Sequence, residues 1–114
     1  MVHLNRAVIA QLREAVGDKV FAEIADDFVG DCKRLETGLR RALKSGDVRG
    51  ARTCAHELRA LAALFGADEL AQSCSVVDAA GGGALREAPR TARLCSDTHD
   101  ALKRLLQHER AGAA

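Results

Sequence analysis

His56 lies in the run Ala51-Arg52-Thr53-Cys54-Ala55-His56-Glu57-Leu58-Arg59-Ala60. On an α-helix its neighbours one turn away are Arg52 at i−4 and Arg59 at i+3, with Arg49 a turn beyond Arg52. Ala60 at i+4 and Ala63 a further turn along leave that face uncrowded. Neutral imidazole is a good nucleophile near neutral pH. Guanidinium neighbours disfavour imidazolium, and they offset the charge of a phosphoryl group arriving on the ring. The small side chains leave room for a second protein to bring its own reacting group close. On spacing alone, a surface histidine between two solvated arginines is the commoner use of such a pattern.

The element that must hold His56 is a helix over residues 48–65, with apolar positions Val48, Ala51, Ala55, Leu58, Ala62 and Phe65. At 100° per residue His56 points about 130° away from this stripe, towards solvent. Glycine and proline punctuate the rest of the chain into further helical blocks. The first covers residues 4–16 and stops at Gly17. The second runs from 18 to about 44 with a stripe of Phe21, Ile24, Phe28, Cys32, Leu35, Leu39 and Leu43. Gly30 and Gly38 lie inside it and weaken it locally. Ser45-Gly46 ends it, and Asp47 caps the helix of His56. A fourth block, 67 to about 80, turns Leu70, Cys74 and Val77 inward, and Gly81-Gly82-Gly83 breaks it. The last helix is expected from Pro89, in its first turn, to about 109, after a lead-in turn at Leu85. Its inward positions are Cys95, Thr98, Leu102 and either Leu105 or Leu106, and residues 111–114 form a frayed tail. Four substantial helices with short connections predict an all-α fold, an antiparallel four-helix bundle whose end is capped by the shorter first helix.

Composition agrees with helix. The 114 residues hold 22 Ala and 14 Leu, against 14 Val, Ile and Thr together. That length bounds the chain, residues 1–114, to one domain with one core. The net charge of +1 argues against bulk-charge binding of nucleic acid, and the absence of Trp and Tyr removes stacking platforms for bases. No apolar run is long enough to span a membrane, and the charged N-terminus has no signal-peptide block, so a cytoplasmic protein is expected. A monomer is expected because one bundle satisfies its own core.

Two rival functions use other features. Cys95 and His99 are four apart on one helix, a spacing that can chelate metal. However, the helical rise separates Cys32 from Cys54 by roughly 9 Å in height. The four cysteines, 32, 54, 74 and 95, therefore read as reduced core residues, with no metal bound. A passive interaction domain is the second rival; it would use the same surface without chemistry. His3, His99 and His108 have no setting comparable to that of His56. No Walker-type motif for ATP is present.

The stretch Ala55-His56-Glu57-Leu58-Arg59-Ala60, continuing to Phe65-Gly66-Ala67-Asp68-Glu69-Leu70, resembles the signature of histidine-containing phosphotransfer domains. Ala55, His56, Leu58, Gly66, Ala67 and Leu70 fall on the family pattern, and Arg59 replaces its usual Lys with the charge kept. Leu12 to Gly17 with Phe21 and Phe28 is similar to the family's first two helices, and Leu43 to Asp47 to its turn before the histidine helix. The likeness covers about residues 3–81, and the last helix matches only in general character. Ala60 stands where the family has Gly, and Leu61 where it has Ser.

The resemblance implies that His56 takes a phosphoryl group from an aspartyl phosphate on a receiver domain and passes it to another receiver. Arg59, with Arg52 second, would stabilise phosphate charge. Ala60, Ala63 and Leu64, with Val8, Ile9 and Leu12 of the first helix, are candidates for the docking face, although at least one face of that helix must pack on the bundle and core packing is the commoner role for any single residue there. The partners implied are response-regulator receivers and a hybrid sensor kinase. Mg2+ would sit in the receiver, so this chain needs no cofactor. The family also places a ring-orienting polar residue on the following helix, for which Asp78 and Ser75 are available, although both read more simply as polar surface groups. A degenerate bundle that binds a receiver or kinase without carrying phosphate is the alternative.

Overall fold

The computed structural model describes residues 3–79 and 83–113, with side chains described as far as His108. Five α-helices follow one another: α1 (Arg6–Val16), α2 (Asp18–Ser45), α3 (Val48–Leu64), α4 (Asp68–Ala79) and α5 (Ala84–Ala113). α2 packs against α3 and α5, and α4 packs against the same two, so the four longer helices close a bundle. α1 lies against α2 and α3. The fold is an all-α bundle, and the described residues contain no β-structure.

Each boundary has a local cause. The Asn5 side chain accepts from Ala7 and Val8 N–H to start α1. Asp47 accepts from the Gly50 N–H at 2.9 Å to start α3. Gly46, left-handed at φ 69°, closes α2 by donating back to its last-turn carbonyls. Gly66 is required twice over. Its φ is +64°, and a Cβ there would lie 2.6 Å from the Asn5 Cβ and 2.8 Å from the Asn5 carbonyl oxygen. The Asn5 N–H donates to the Gly66 carbonyl at 2.8 Å, which ties the start of α1 to the α3–α4 turn.

The core runs the length of the bundle. Phe28 stacks on Phe65 with ring centroids 4.8 Å apart, and Phe21 tilts against Phe65 at 6.0 Å. Leu35, Leu39, Leu58, Leu70, Val77 and Leu102 continue it. Ala25 and Ala42 take the fully inward positions on α2, while Ile24 and Leu43 sit at its edge. Val48 is likewise at the edge of the α3 stripe. At the foot of α5, Leu106 is buried and Leu105 is partly so.

Three expectations are corrected. α5 begins at Ala84, five residues before Pro89, which lies inside the helix. Ala84, Ala88, Thr91, Ala92 and Cys95 form a buried stripe that extends the helix backwards. The Ser73 hydroxyl fastens it to α4, donating to Glu87 at 2.7 Å and sharing a 2.6 Å hydrogen bond with Thr91. This packing outweighs the single backbone bond that Pro89 forfeits. At its other end α5 extends to Ala113 rather than ending near 109. Gly83 directly precedes α5; Ala80, Gly81, Gly82 and Ala114 lie outside the described residues.

The third correction concerns cysteine. Cys32, Cys74 and Cys95 are fully buried, but Cys54 is only half-buried. Its sulfur lies in the notch left by Gly38, where a Cβ would stand 2.7 Å from it. Gly38 therefore serves helix packing and is not merely a weak point of α2. Cys95 meets Cys32 across the α2–α5 interface, its thiol donating to the Cys32 carbonyl at 3.1 Å. The Cys95 thiol and burial push the Cys32 thiol far above its ordinary range, and burial pushes Cys74 up to about 12. Such thiols remain protonated and inert at neutral pH.

Candidate functional site

α3 presents His56 as expected, at mid-helix with 77% of its side chain exposed. The buried stripe of Ala51, Ala55, Leu58 and Ala62 fixes the opposite face of the helix in the core. The ring is oriented by α4. His56 Nδ1 lies 3.3 Å from Asp78 Oδ2, so the imidazole N–H donates to that carboxylate. In a neutral ring, a proton held on Nδ1 by this carboxylate places the lone pair on Nε2.

Asp78 is also the meeting point of both arginines. Arg59 Nη1 approaches Asp78 Oδ2 at 3.9 Å, and Arg52 Nε donates to the Asp78 backbone carbonyl at 3.0 Å. That carbonyl belongs to the last turn of α4, where a cation also satisfies the helix dipole. α3 and α4 are thus clamped together at the point where His56 emerges. On its other side α3 is tied to α2 by the ion pair between Arg34 and Glu57. Arg34 is paired with Asp31 at 3.4 Å as well.

An open groove of about 560 Å³ runs beside the ring, lined by Val48, Arg49, Arg52, Thr53, His56 and Asp78. Arg49 belongs to it by virtue of helical spacing from Arg52. Ala60 and Ala63 are exposed, and Leu64 is 43% exposed, as expected of a face open to a partner. Val8 and Leu12 are half-buried, with Leu12 packed on the core. Ile9 is corrected: at 5% exposure it belongs to the core and offers no surface for a receiver to dock on. α1 has to bury one face on the bundle, and Ile9 is the residue it turns fully in. Leu61 packs at the boundary of the core.

Of the two polar residues available to orient the ring, only Asp78 does so. The Ser75 hydroxyl donates to the Ala71 carbonyl of its own helix at 3.1 Å. Asp78 and His56 are 22 residues apart, so local spacing gives no signal that they meet. The chelating pair is also separated. Cys95 faces the Cys32 carbonyl in the core, whereas His99 Nδ1 lies 3.1 Å from Asp100 at the surface. Among the described residues no three His, Cys, Asp or Glu side chains are grouped as a metal would need. No helix of the described residues is long and apolar enough to cross a membrane.

The model of the Hpt domain family matches residues 23–112, which takes in α5 as well as the histidine helix. Comparison with curated proteins returned no match. Among solved structures, the chain is similar to histidine-containing phosphotransfer protein B from Pseudomonas aeruginosa PAO1. The two share 26% identity and superpose with a TM-score of 0.80, over 93% of this chain and 96% of the other. A family match over most of the length, the five-helix bundle and an exposed histidine on α3 lead to one assignment: the chain belongs to the Hpt domain family, the phosphotransfer proteins of two-component relays that interact with receiver and kinase domains.

Proposed function

We propose that His56 is the phosphoryl carrier, and that the whole chain acts as one Hpt unit, a cytoplasmic monomer exchanging phosphate with receiver domains. The observation that carries this reading is the exposed imidazole whose Nδ1–H is held by Asp78 between Arg52 and Arg59. In the forward step the Nε2 lone pair attacks the phosphorus of an aspartyl phosphate. The N–P bond forms, the P–O bond to the aspartate breaks, and the carboxylate leaves with the electron pair. The Nδ1 proton stays on the ring, shared with Asp78. The second receiver's carboxylate reverses the sequence, and free imidazole is restored.

Positioning and charge compensation dominate such transfers. Arg59 is the group best placed to follow the charge, because its 3.9 Å contact with Asp78 is loose and its side chain is half exposed. Arg52 is held more firmly by the Asp78 carbonyl, so its share is to fix the groove wall. Exposed Ala60, Ala63 and Leu64 supply the partly apolar ground on which a receiver rests, with half-buried Val8 and Leu12 of α1 as further candidates.

The test is phosphotransfer from a panel of phosphorylated receivers, read by intact mass and acid lability. Wild type should gain one acid-labile phosphate and His56→Gln none. Binding that ignores His56→Gln, with no transfer from any receiver, would establish the interaction-only reading instead.

A further inference from the structure

A second basic recess lies at another part of the bundle and shares no residue with the His56 groove. It is a cavity of about 390 Å³ formed where the start of α1 meets the last turns of α5. Leu4, Ile9, Ala101 and Leu105 make its floor, and His3, Arg6, Arg104 and His108 make its rim. Ile9 is buried, and Leu4 and Leu105 are packed against the core, so the floor is apolar. Among the described residues no acidic side chain lines the cavity. None of the four rim side chains is in an ion pair among the described residues. The acidic group nearest in chain to Arg104 is Asp100, whose carboxylate bonds to His99 at 3.1 Å and also feels the Arg104 charge from a turn away.

Arg6 and Arg104 set two exposed guanidinium groups beside this apolar floor, with the His3 and His108 imidazoles next to them. The size is that of a small-molecule pocket and is too small for a protein surface. We infer that this recess binds a small amphiphilic anion, a phosphate or carboxylate head on a short apolar tail. The head pairs with Arg6 and Arg104 through their donor forks, and the tail lies on Leu4, Ile9 and Leu105. His3 and His108 add hydrogen-bond donors at the rim. The site stands apart from the phosphoryl site. Asn5, next to Arg6, is bonded to Gly66, which lies ten residues beyond His56, roughly 15 Å along α3.

The test uses the full chain, isotope-labelled, and amide chemical shifts. Octyl phosphate and octanoate are the probes, with inorganic phosphate and octanol as the head-only and tail-only controls. Saturable shifts confined to residues 3–9 and 101–108 are expected with the amphiphiles, and much weaker ones with either control. Arg6→Ala and Arg104→Ala should each weaken binding about three- to tenfold. Both side chains are exposed, so thermal melts should show the variants folded. Equal response to octanol, equal response to inorganic phosphate, shifts centred on His56, or no saturation would each overturn the inference. So would binding to vesicles of anionic phospholipid without binding of soluble octyl phosphate, since a membrane surface would then be the ligand. Phosphotransfer by His56 plays no part in these readouts, so either proposal can fail alone.

Discussion

Gly30 and Gly38 look alike in the sequence, two glycines inside one long helix, but substitution to alanine should move stability in opposite directions. A Cβ built at Gly30 meets nothing within 4 Å, whereas at Gly38 it meets the Cys54 sulfur at 2.7 Å. Alanine is favoured over glycine in a helix interior by about 0.8–1 kcal/mol. Gly30→Ala should therefore stabilise by about 0.5–1 kcal/mol. Gly38→Ala gains the same propensity but must push the sulfur aside, and overpacking of this kind costs about 1–3 kcal/mol. The net effect is a loss of up to about 2 kcal/mol. Cys54→Ala removes the obstacle, and its own cost is below about 1 kcal/mol because that side chain is only half-buried. In the Cys54→Ala background the new methyl occupies the space left by the sulfur, and Gly38→Ala becomes stabilising. The coupling energy of the cycle should be about 1–3 kcal/mol. Urea denaturation of the four proteins gives it directly, and each kcal/mol should move the melting temperature by roughly 4 °C. Equal stabilisation by Gly30→Ala and Gly38→Ala in the native background would refute the notch. The consequence reaches the site, because Gly38 sets how closely α2 approaches the helix that carries His56.

Other perturbations probe the site and the core. Asp78→Ala should slow phosphoryl transfer to His56 about tenfold while leaving receiver binding intact, whereas Asp78→Asn, whose amide oxygen still accepts from Nδ1–H, should recover most of the rate; equal rates for the two variants would deny Asp78 its orienting role. Native protein treated with iodoacetamide near pH 8 should be alkylated first at Cys54 and only slowly at Cys32, Cys74 and Cys95. For Cys32 and Cys74 the raised pKa suppresses the thiolate, and reactivity rises only as pH climbs towards about 12 for Cys74. Mapping by peptide mass decides it, and early labelling of Cys74 would contradict the burial. Phe65→Ala removes the ring that both Phe21 and Phe28 pack against and should cost about 3–5 kcal/mol, read from the urea midpoint.

Helices and their inward faces could be read from the sequence because they are properties of local spacing. Residues three or four apart share a face whatever the chain does elsewhere, so the α3 stripe and the outward direction of His56 were fixed by residues 48–65 alone. The signature around His56 likewise named the family before any coordinates, and Gly66 was part of that signature. Its reason appears only in three dimensions, where Asn5 comes within 3 Å of where a side chain would be. The start of α5 was misplaced because proline weighs heavily in local rules, while the stripe from Ala84 to Cys95 and the Ser73 hydrogen bonds come from packing on α4. Asp78 is the clearest case. Nothing in its neighbourhood distinguishes it from any other polar residue near a helix end. It acquires its place because α4 packs on α3 in a register that brings Oδ2 to the imidazole and its carbonyl to Arg52. The outward direction of His56 therefore follows from local sequence. Which group aims it was settled by helix packing, since contacts across 22 residues depend on a register that no single helix carries.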